Sequence, residues 1–256
     1  NSAFDNLIGL LSSETILGLE ENMRLMLWNN LEEFISKHRR FKDAERALDG
    51  KLLSSIKAIA DKLAPDNLLY RYRRLFSVYD SELFVKEDNY DEQQKEINKH
   101  RMEVINEILA LDGIDKVIEF AKLVEHPYDV GTALGSISDQ DFDKNLLPHY
   151  LDSKDRKLSQ FVGAYVWSRY SINGLHWADA LEKDSWEKGQ IVAFLCSLPF
   201  NNEIWVRTEK WLETSQSLYW KKVDIEPFQA EDNLDIAIDR LLEYKRPNAA
   251  ISCLYA

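Results

Sequence analysis

The sequence is poor in the residues that make turns, because its 256 residues include only 9 glycines and 6 prolines. Sheet-rich proteins normally need more of both at their hairpins and strand ends. Cysteine is scarcer still, and Cys196 and Cys253 make neither a disulfide framework nor a zinc cluster. No apolar run approaches the ~18 residues of a membrane span, and no signal peptide opens the chain. These absences predict a helical, cytoplasmic protein.

Positive charge is also in deficit. The chain has 32 basic and 44 acidic residues, for a net charge of −12. Residues 1–128 hold 18 basic and 24 acidic side chains, and residues 129–256 hold 14 and 20, so the acidity is evenly spread. Such a surface repels phosphate backbones, which argues against general nucleic-acid binding. The hydrophobic fraction of 45% and the charged fraction of 30% are typical of a folded globular protein.

Apolar residues at three- and four-residue spacing mark a succession of helices. Asp49 is a candidate N-cap for the second of them, and Pro65 stops it. Asp112-Gly113 and Asn173-Gly174 are further interruptions. The sequence predicts helices over 14–41, 49–63, 67–78, 91–111, 114–125, 128–137, 139–150, 156–171, 175–183, 186–198, 203–214, 218–223, 233–244 and 248–254.

Short helices joined by short loops are usually antiparallel neighbours, and a long succession of them is typical of a solenoid. The predicted fold is therefore all-α, with stacked antiparallel helix pairs over 91–256 and an irregular helical subdomain over 1–86. The acidic, aperiodic segment 80–90 is the predicted boundary. Since the chain does not begin with Met and closes on a helical pattern at 251–256, we expect a piece of a larger protein that continues beyond residue 256.

The last helix pair carries a resemblance, in the segment from Ala237 to Ile251. With Ala237 in its first helix and Ala249 and Ala250 in its second, it resembles the turn of a tetratricopeptide-like pair, in which small residues let two helix axes approach closely. It is also similar to a HEAT-like pair. The resemblance implies a superhelix that presents an extended surface to other proteins.

Tryptophan is concentrated in one segment, because six of the seven lie within residues 167–220. One interpretation is a binding groove, since Trp and Tyr are enriched in binding hot spots. The other is packing between helices. The segment 219–222 is the piece expected to be exposed, because two adjacent aromatic residues should not both face one core. The candidate partner-binding residues are Trp205, Trp211, Tyr219, Trp220, Lys221 and Lys222.

Two basic clusters, at 37–42 and 71–74, interrupt the acidity. Both are compatible with cations that complement a helix C-terminus. If the two helix ends meet in space, the clusters would form one anion-binding patch, and an acidic segment of a partner would fit it better than DNA. The candidate residues are Arg39, Arg40, Arg71, Arg73 and Arg74.

Recognisable catalytic chemistry is missing. Glu96, His100 and Glu103 share a helix face that could hold a metal, but this spacing is common in polar helices. No phosphate-binding glycine loop or nucleophile motif is present. Gly131 and Gly135, four residues apart, favour close helix packing. We therefore predict no enzyme, no metal and no cofactor.

Two functions remain open at this point. The first is a non-catalytic scaffold for protein–protein interaction within a larger intracellular protein. The alternative is a regulatory or sensor domain of a large nucleotide-driven ATPase-type protein. The partner and the oligomeric state cannot be read from the sequence.

Overall fold

The computed structural model describes residues 2–41, 44, 47–78, 89–137 and 140–255. The described residues form helices joined by turns and loops, without a β-strand, so the predicted all-α class is confirmed. The chain divides into two compact units, Asn1–His126 and Pro127–Ala256. We call them the N-terminal and C-terminal units. The predicted boundary at 80–90 falls mostly on residues outside the described set and stays a prediction.

The N-terminal unit contains six described α-helices and one 3-10 turn. They are α1 (Ser2–Leu11), α2 (Glu14–Leu17), α3 (Glu21–Arg40), α4 (Gly50–Leu63), α5 (Leu68–Tyr72), the 3-10 turn Arg73–Phe76, and α6 (Tyr90–Leu123). The predicted continuous helix over 14–41 is interrupted, because Gly18 ends α2 and α3 begins at Glu21.

The first core of this unit lies between α3 and α4. Leu48 N–H donates to His38 Nδ1 at 3.3 Å, and Lys57 Nζ lies 2.7 Å from Glu32 Oε1. The two contacts show that α3 and α4 are antiparallel. Asp49 caps α4 as predicted, since its carboxylate accepts from two backbone N–H groups of the first turn. The buried side chains of this core are Leu11, Trp28, Leu31, Ile35, Ile56, Ile59, Ala60 and Leu63.

The second core lies between the segment 68–77 and α6. The rings of Phe76 and Phe120 are 5.1 Å apart, edge to face. Buried Arg101 donates through Nε and Nη2 to the Leu75 carbonyl at 3.2 and 3.1 Å. As predicted, α6 is broken at Asp112-Gly113, where Gly113 has a φ of 63°.

The C-terminal unit contains eight described α-helices. They are α7 (Pro127–Ile137), α8 (Gln140–Tyr150), α9 (Arg156–Ala180), α10 (Lys188–Cys196), α11 (Asn202–Leu212), α12 (Ser217–Lys222), α13 (Leu234–Glu243) and α14 (Pro247–Ser252). As predicted, Gly174 breaks α9, with a φ of 65°. No helix among the described residues has both the length and the apolar character to cross a bilayer.

The most extensive helix contact in this unit joins α7 to α9. A Cβ built on Gly131 would lie 2.0 Å from the Phe161 carbonyl oxygen, and one on Gly135 would lie 2.6 Å from the Ser168 Cβ. Ser168 Oγ also donates to the Thr132 carbonyl at 3.0 Å. The predicted role of the two glycines in close packing is therefore confirmed.

The last helix pair, α13 and α14, buries two of the three alanines on which the resemblance depends. Ala237 and Ala250 are buried, and Ala249 is half-buried. The turn places Lys245 in the left-handed region, with a φ of 61°. Arg246 N–H then closes the helix end on the Leu241 carbonyl at 2.8 Å. This closure is typical of turns that carry glycine at the position of Lys245.

Replacing Lys245 by glycine is therefore expected to stabilise the C-terminal unit by about 1 kcal/mol, because a residue with a Cβ adopts this conformation at roughly that cost. Thermal unfolding should shift upward by about 2–4 °C. Lys245→Ala is the matched control, since it removes the same charge and keeps the Cβ. An equal gain in both variants would contradict the strain at this turn.

Candidate functional site

The two basic clusters meet at one pocket in the N-terminal unit. The pocket has a volume of about 260 Å³ and its lining includes Arg39, Arg71 and Arg74. The full lining is Trp28, Glu32, Ile35, Ser36, Arg39, Arg71, Arg74 and Leu75. We call it the arginine pocket. The two basic clusters were expected to form one patch only if their helix ends lie close together, and Arg39, Arg71 and Arg74 do line one pocket.

Two helical faces build the arginine pocket. The first is a stripe of α3 from Trp28 to Arg39, whose members are spaced by three, four or one residues along the helix. The second begins at Arg71 in α5 and continues through Arg74 and Leu75 in the 3-10 turn. Trp28 is buried at the base of the stripe, whereas Arg39 is exposed at its end. The guanidinium groups therefore lie at the rim of a partly apolar pocket.

Hydrogen bonds fix one of the three guanidinium groups. Arg71 donates through Nε and Nη2 to the Pro65 carbonyl at 3.3 and 3.0 Å, which leaves further N–H donors of its planar fork for a ligand. Within the described ranges, the side chains of Arg39 and Arg74 make no hydrogen bond or ion pair. Two guanidinium groups without a bonded partner in the described part of the chain, beside one that is anchored, leave several donors available to an anion in the pocket.

The carboxylate of Glu32 also lines the pocket, but it has its own cationic partner. Lys57 Nζ lies 2.7 Å from Glu32 and 3.0 Å from Asp61. Burial lowers the pKa of Lys57, but its hydrogen bonds to the two carboxylates outweigh burial, and the net pKa is raised. Lys57 therefore stays charged and neutralises Glu32. The three arginines give the lining of the pocket a net positive charge.

Two of the five candidate arginines lie away from the pocket lining. Arg73 pairs with Glu125 at 2.9 Å. Arg40 stacks its guanidinium over the Phe41 ring at 5.2 Å. Trp28, Glu32 and Ser36 were not predicted to belong to a site. Their helical spacing from Arg39 was the available signal, and it becomes meaningful only once α5 is known to lie beside α3.

One further residue positions the pocket without lining it. Buried Arg101 holds the Leu75 carbonyl and stacks on the Phe76 ring at 5.6 Å. This contact anchors the 3-10 turn from which the Arg74 side chain extends. Sequence reasoning missed Arg101 because a lone arginine on a polar helix looks like a solvated residue.

The tryptophan-rich segment is part of the interior of the C-terminal unit. Trp177, Trp205 and Trp220 are buried, and the other three tryptophans of the segment are half-buried. Phe194 lies 5.5–6.4 Å from three indole rings, and a second group joins Phe200 to two more. These contacts support the packing interpretation of the segment.

The expectation that 219–222 is an exposed piece is wrong for its aromatic residues. Tyr219 is 0% and Trp220 1% exposed, and their rings are 5.3 Å apart. Both are covered because the short helix α12 packs against α10 on one side and α13 on another. Trp205, also a candidate for partner binding, is 3% exposed. Of the six candidates, Lys221 and Lys222 are exposed and Trp211 is half-buried.

Ionisable groups elsewhere give little sign of a reactive centre. Glu96, His100 and Glu103 are exposed, and the described residues contain no group of three or more His, Cys, Asp or Glu that could hold a metal ion. Burial raises the pKa of Cys196 to about 12 and also raises that of Cys253. Neither thiol is activated as a nucleophile at neutral pH.

The arginine pocket therefore combines three guanidinium groups with a partly apolar lining, an arrangement that can bind an anion. Comparison of the chain with protein-family models, with curated proteins and with solved structures gives no significant match.

Proposed function

We propose that this chain is a non-catalytic module for protein–protein interaction, and that its arginine pocket receives an acidic side chain from a segment of the partner. The observation that carries the proposal is the convergence of Arg39, Arg71 and Arg74 on one pocket in a chain of net charge −12. An isolated positive pocket on an acidic protein selects a short acidic segment over an extended polyanion, because the surrounding surface repels the rest of a nucleic acid.

The chemistry of the pocket fits a carboxylate group at the end of a side chain. Arginine offers a planar fork of donors to such groups, and its charge-assisted hydrogen bonds are stronger than neutral ones. The apolar floor formed by Trp28 and Ile35 can cover the aliphatic part of the same side chain. A volume of about 260 Å³ suits one side chain.

Binding of a labelled acidic peptide tests this proposal. A fluorescein-labelled peptide of alternating Glu and Gly should bind at low ionic strength and be released by salt. Arg39→Gln and Arg74→Gln should each weaken the dissociation constant by about tenfold or more, since a charge-assisted hydrogen bond contributes about 1.5–3 kcal/mol. Fluorescence polarisation measures the change directly.

Arg73→Gln is the matched control. It removes the same charge from the neighbouring residue, but its side chain pairs with Glu125 and does not line the pocket. We expect a change of less than about twofold, because an exposed pair contributes little to the fold and Arg73 does not touch the ligand. An equal loss of peptide affinity in all three variants would show that the peptide is attracted by general positive charge. The proposed binding in the arginine pocket would then be wrong.

Inorganic phosphate as a competitor separates this function from a regulatory domain that senses a small ligand. If the pocket serves a protein segment, millimolar phosphate should act mainly through ionic strength, as chloride does. If phosphate alone binds more tightly than the peptide, the proposed protein–protein interaction is wrong. The alternative function, a regulatory domain that senses a small ligand, is then favoured.

The proposal extends to architecture and setting. We infer that the helix pairs of the C-terminal unit form a repeat-like stack, which the small-residue contact between α13 and α14 supports. A cytoplasmic setting is supported by two cysteines that are both free thiols.

A further inference from the structure

The C-terminal unit contains a second pocket, with a volume of about 340 Å³. One wall is a single face of α9, formed by Gln160, Gly163, Ala164 and Trp167. The opposite wall comes from the turn after α10 and from the loop after α12. Tyr128, at the start of α7, completes the rim. We call it the aromatic pocket.

The loop that closes the aromatic pocket is held at both ends. Arg246 Nη1 donates to the carbonyls of Trp220 and Val223, at 2.9 and 2.8 Å, immediately before Asp224. The Gln229 side-chain oxygen accepts from the Phe200 N–H at 2.7 Å. The backbone that carries Asp224 and Glu226 is therefore held on both sides, so a ligand would not have to order the loop on binding.

The charge of the lining has one sign. Asp224 and Glu226 are its charged residues, and their exposed carboxylates make no ion pair within the described part of the chain. Lys222 and Arg246 are close enough to lower the pKa of the Cys196 thiol, although burial dominates and raises it to about 12. Neither cation lines the pocket. The interior of the pocket thus favours a positive ligand.

The aromatic residues of the lining favour the same ligand. Trp167 is half-buried, with its ring at the pocket wall, and Tyr128 is 51% exposed at the rim. Indole and phenol faces attract ammonium and guanidinium groups, most strongly when water is partly excluded. Burial keeps the Cys196 thiol protonated, so Cys196 adds a neutral surface to the pocket and no nucleophile.

We propose that the aromatic pocket binds an organic cation of the size of an arginine or lysine side chain. The ammonium or guanidinium group lies against Trp167 and is neutralised by Asp224 and Glu226. The aliphatic part of the ligand covers Ala164 and Leu198. The aromatic pocket shares no residue with the arginine pocket, so this proposal does not depend on the function proposed for the arginine pocket.

Titration with capped amino acids tests the proposal. Acetyl-arginine amide should bind with a dissociation constant on the order of a millimolar, as expected for a ligand of this size. It should shift the NMR signals of the Trp167 indole N–H and of the Gln160 side-chain amide. Acetyl-citrulline amide has the same shape without the charge, and its binding should be weaker by about tenfold or more.

Variants of the acidic residues in the aromatic pocket provide a second test of the proposal. The double variant Asp224→Asn, Glu226→Gln should weaken arginine binding by about tenfold, whereas Glu182→Gln, Asp184→Asn removes two exposed carboxylates of the same unit and should change nothing. Circular dichroism checks that both variants are folded. Equal binding of citrulline and arginine, equal affinity in both double variants, or no shift in the wild-type chain would each overturn the proposal.

The source of the cation is distinguished by the same method. The tripeptide acetyl-Gly-Arg-Gly-amide carries the side chain of a protein partner, and tetramethylammonium carries the charge of a small free ligand. Tighter binding of the tripeptide would assign the cation to a protein segment, and tighter binding of tetramethylammonium would assign it to a metabolite-like ammonium compound.

Discussion

Gly131→Ala is expected to destabilise the C-terminal unit by about 3 kcal/mol or more, near the upper end for overpacked interiors. The new Cβ would lie 2.0 Å from the Phe161 carbonyl oxygen, a backbone atom that cannot rotate away. Helices α7 and α9 would have to separate, and the interior between them would lose its contacts. The gain in helix propensity from alanine, about 1 kcal/mol, is too small to compensate.

Gly163→Ala is the matched control for this change. Its Cβ would meet only the Ser197 hydroxyl, at 3.4 Å, so the change should stay within about 1 kcal/mol of the parent in either direction. Tryptophan fluorescence during urea unfolding measures both variants, because six of the seven tryptophans lie in the C-terminal unit. If both glycine variants unfold at the urea concentration of the parent, α7 and α9 are not in such close contact.

Much of the fold was predictable because it depends on local chemistry. The breaks at Gly113 and Gly174 were expected, and both glycines have a positive φ that other residues adopt only at a cost. The N-cap at Asp49 is also encoded within a few residues. The burial of Trp220 is a different case. It depends on helices that lie on several sides of α12, and helical periodicity describes only one face at a time.

The candidate site divides in the same way. Clusters of arginine near two helix ends are visible in the sequence, but whether Arg39 reaches Arg74 depends on how α3 packs against the segment that follows α4. The Arg101 contact with the Leu75 carbonyl, which anchors that segment, joins residues far apart in the chain. Such long-range contacts leave no periodic signal in one sequence.

A buried carboxylate is the centre of the second large effect. Asp143 in α8 is 4% exposed and accepts three hydrogen bonds from the described side chains, all of them in α9. Its Oδ1 accepts from the Tyr165 hydroxyl at 2.5 Å, and its Oδ2 accepts from Trp177 Nε1 at 2.8 Å and from Arg169 Nη2 at 3.4 Å. The Arg169 guanidinium also lies 5.6 Å from the Trp177 ring. This network ties α8 to α9.

Asp143→Asn is expected to destabilise the C-terminal unit by about 3–5 kcal/mol, the usual cost of removing one partner from a buried ion pair. If the new amide turns its NH₂ group towards Trp177 and Arg169, it faces two groups that can only donate. If it turns the other way, the Tyr165 hydroxyl must accept instead of donate, and a neutral amide oxygen replaces the carboxylate beside Arg169. Arg169, whose side chain is 10% exposed, also loses its counter-charge.

A pair of tyrosine variants isolates the hydrogen bond to Asp143, because each variant removes a buried hydroxyl and keeps the aromatic ring. Tyr165→Phe removes a donor to Asp143 and should cost about 1.5–3 kcal/mol, the range for a hydrogen bond to a charged group. Tyr219→Phe should cost less than about 1 kcal/mol, because the buried Tyr219 hydroxyl makes only a weak contact with the Trp205 indole N–H and no hydrogen bond of full geometry among the described residues. Urea unfolding followed by fluorescence compares the two. A loss in Tyr165→Phe that is no larger than the loss in Tyr219→Phe would contradict the contribution of the Asp143 network to stability.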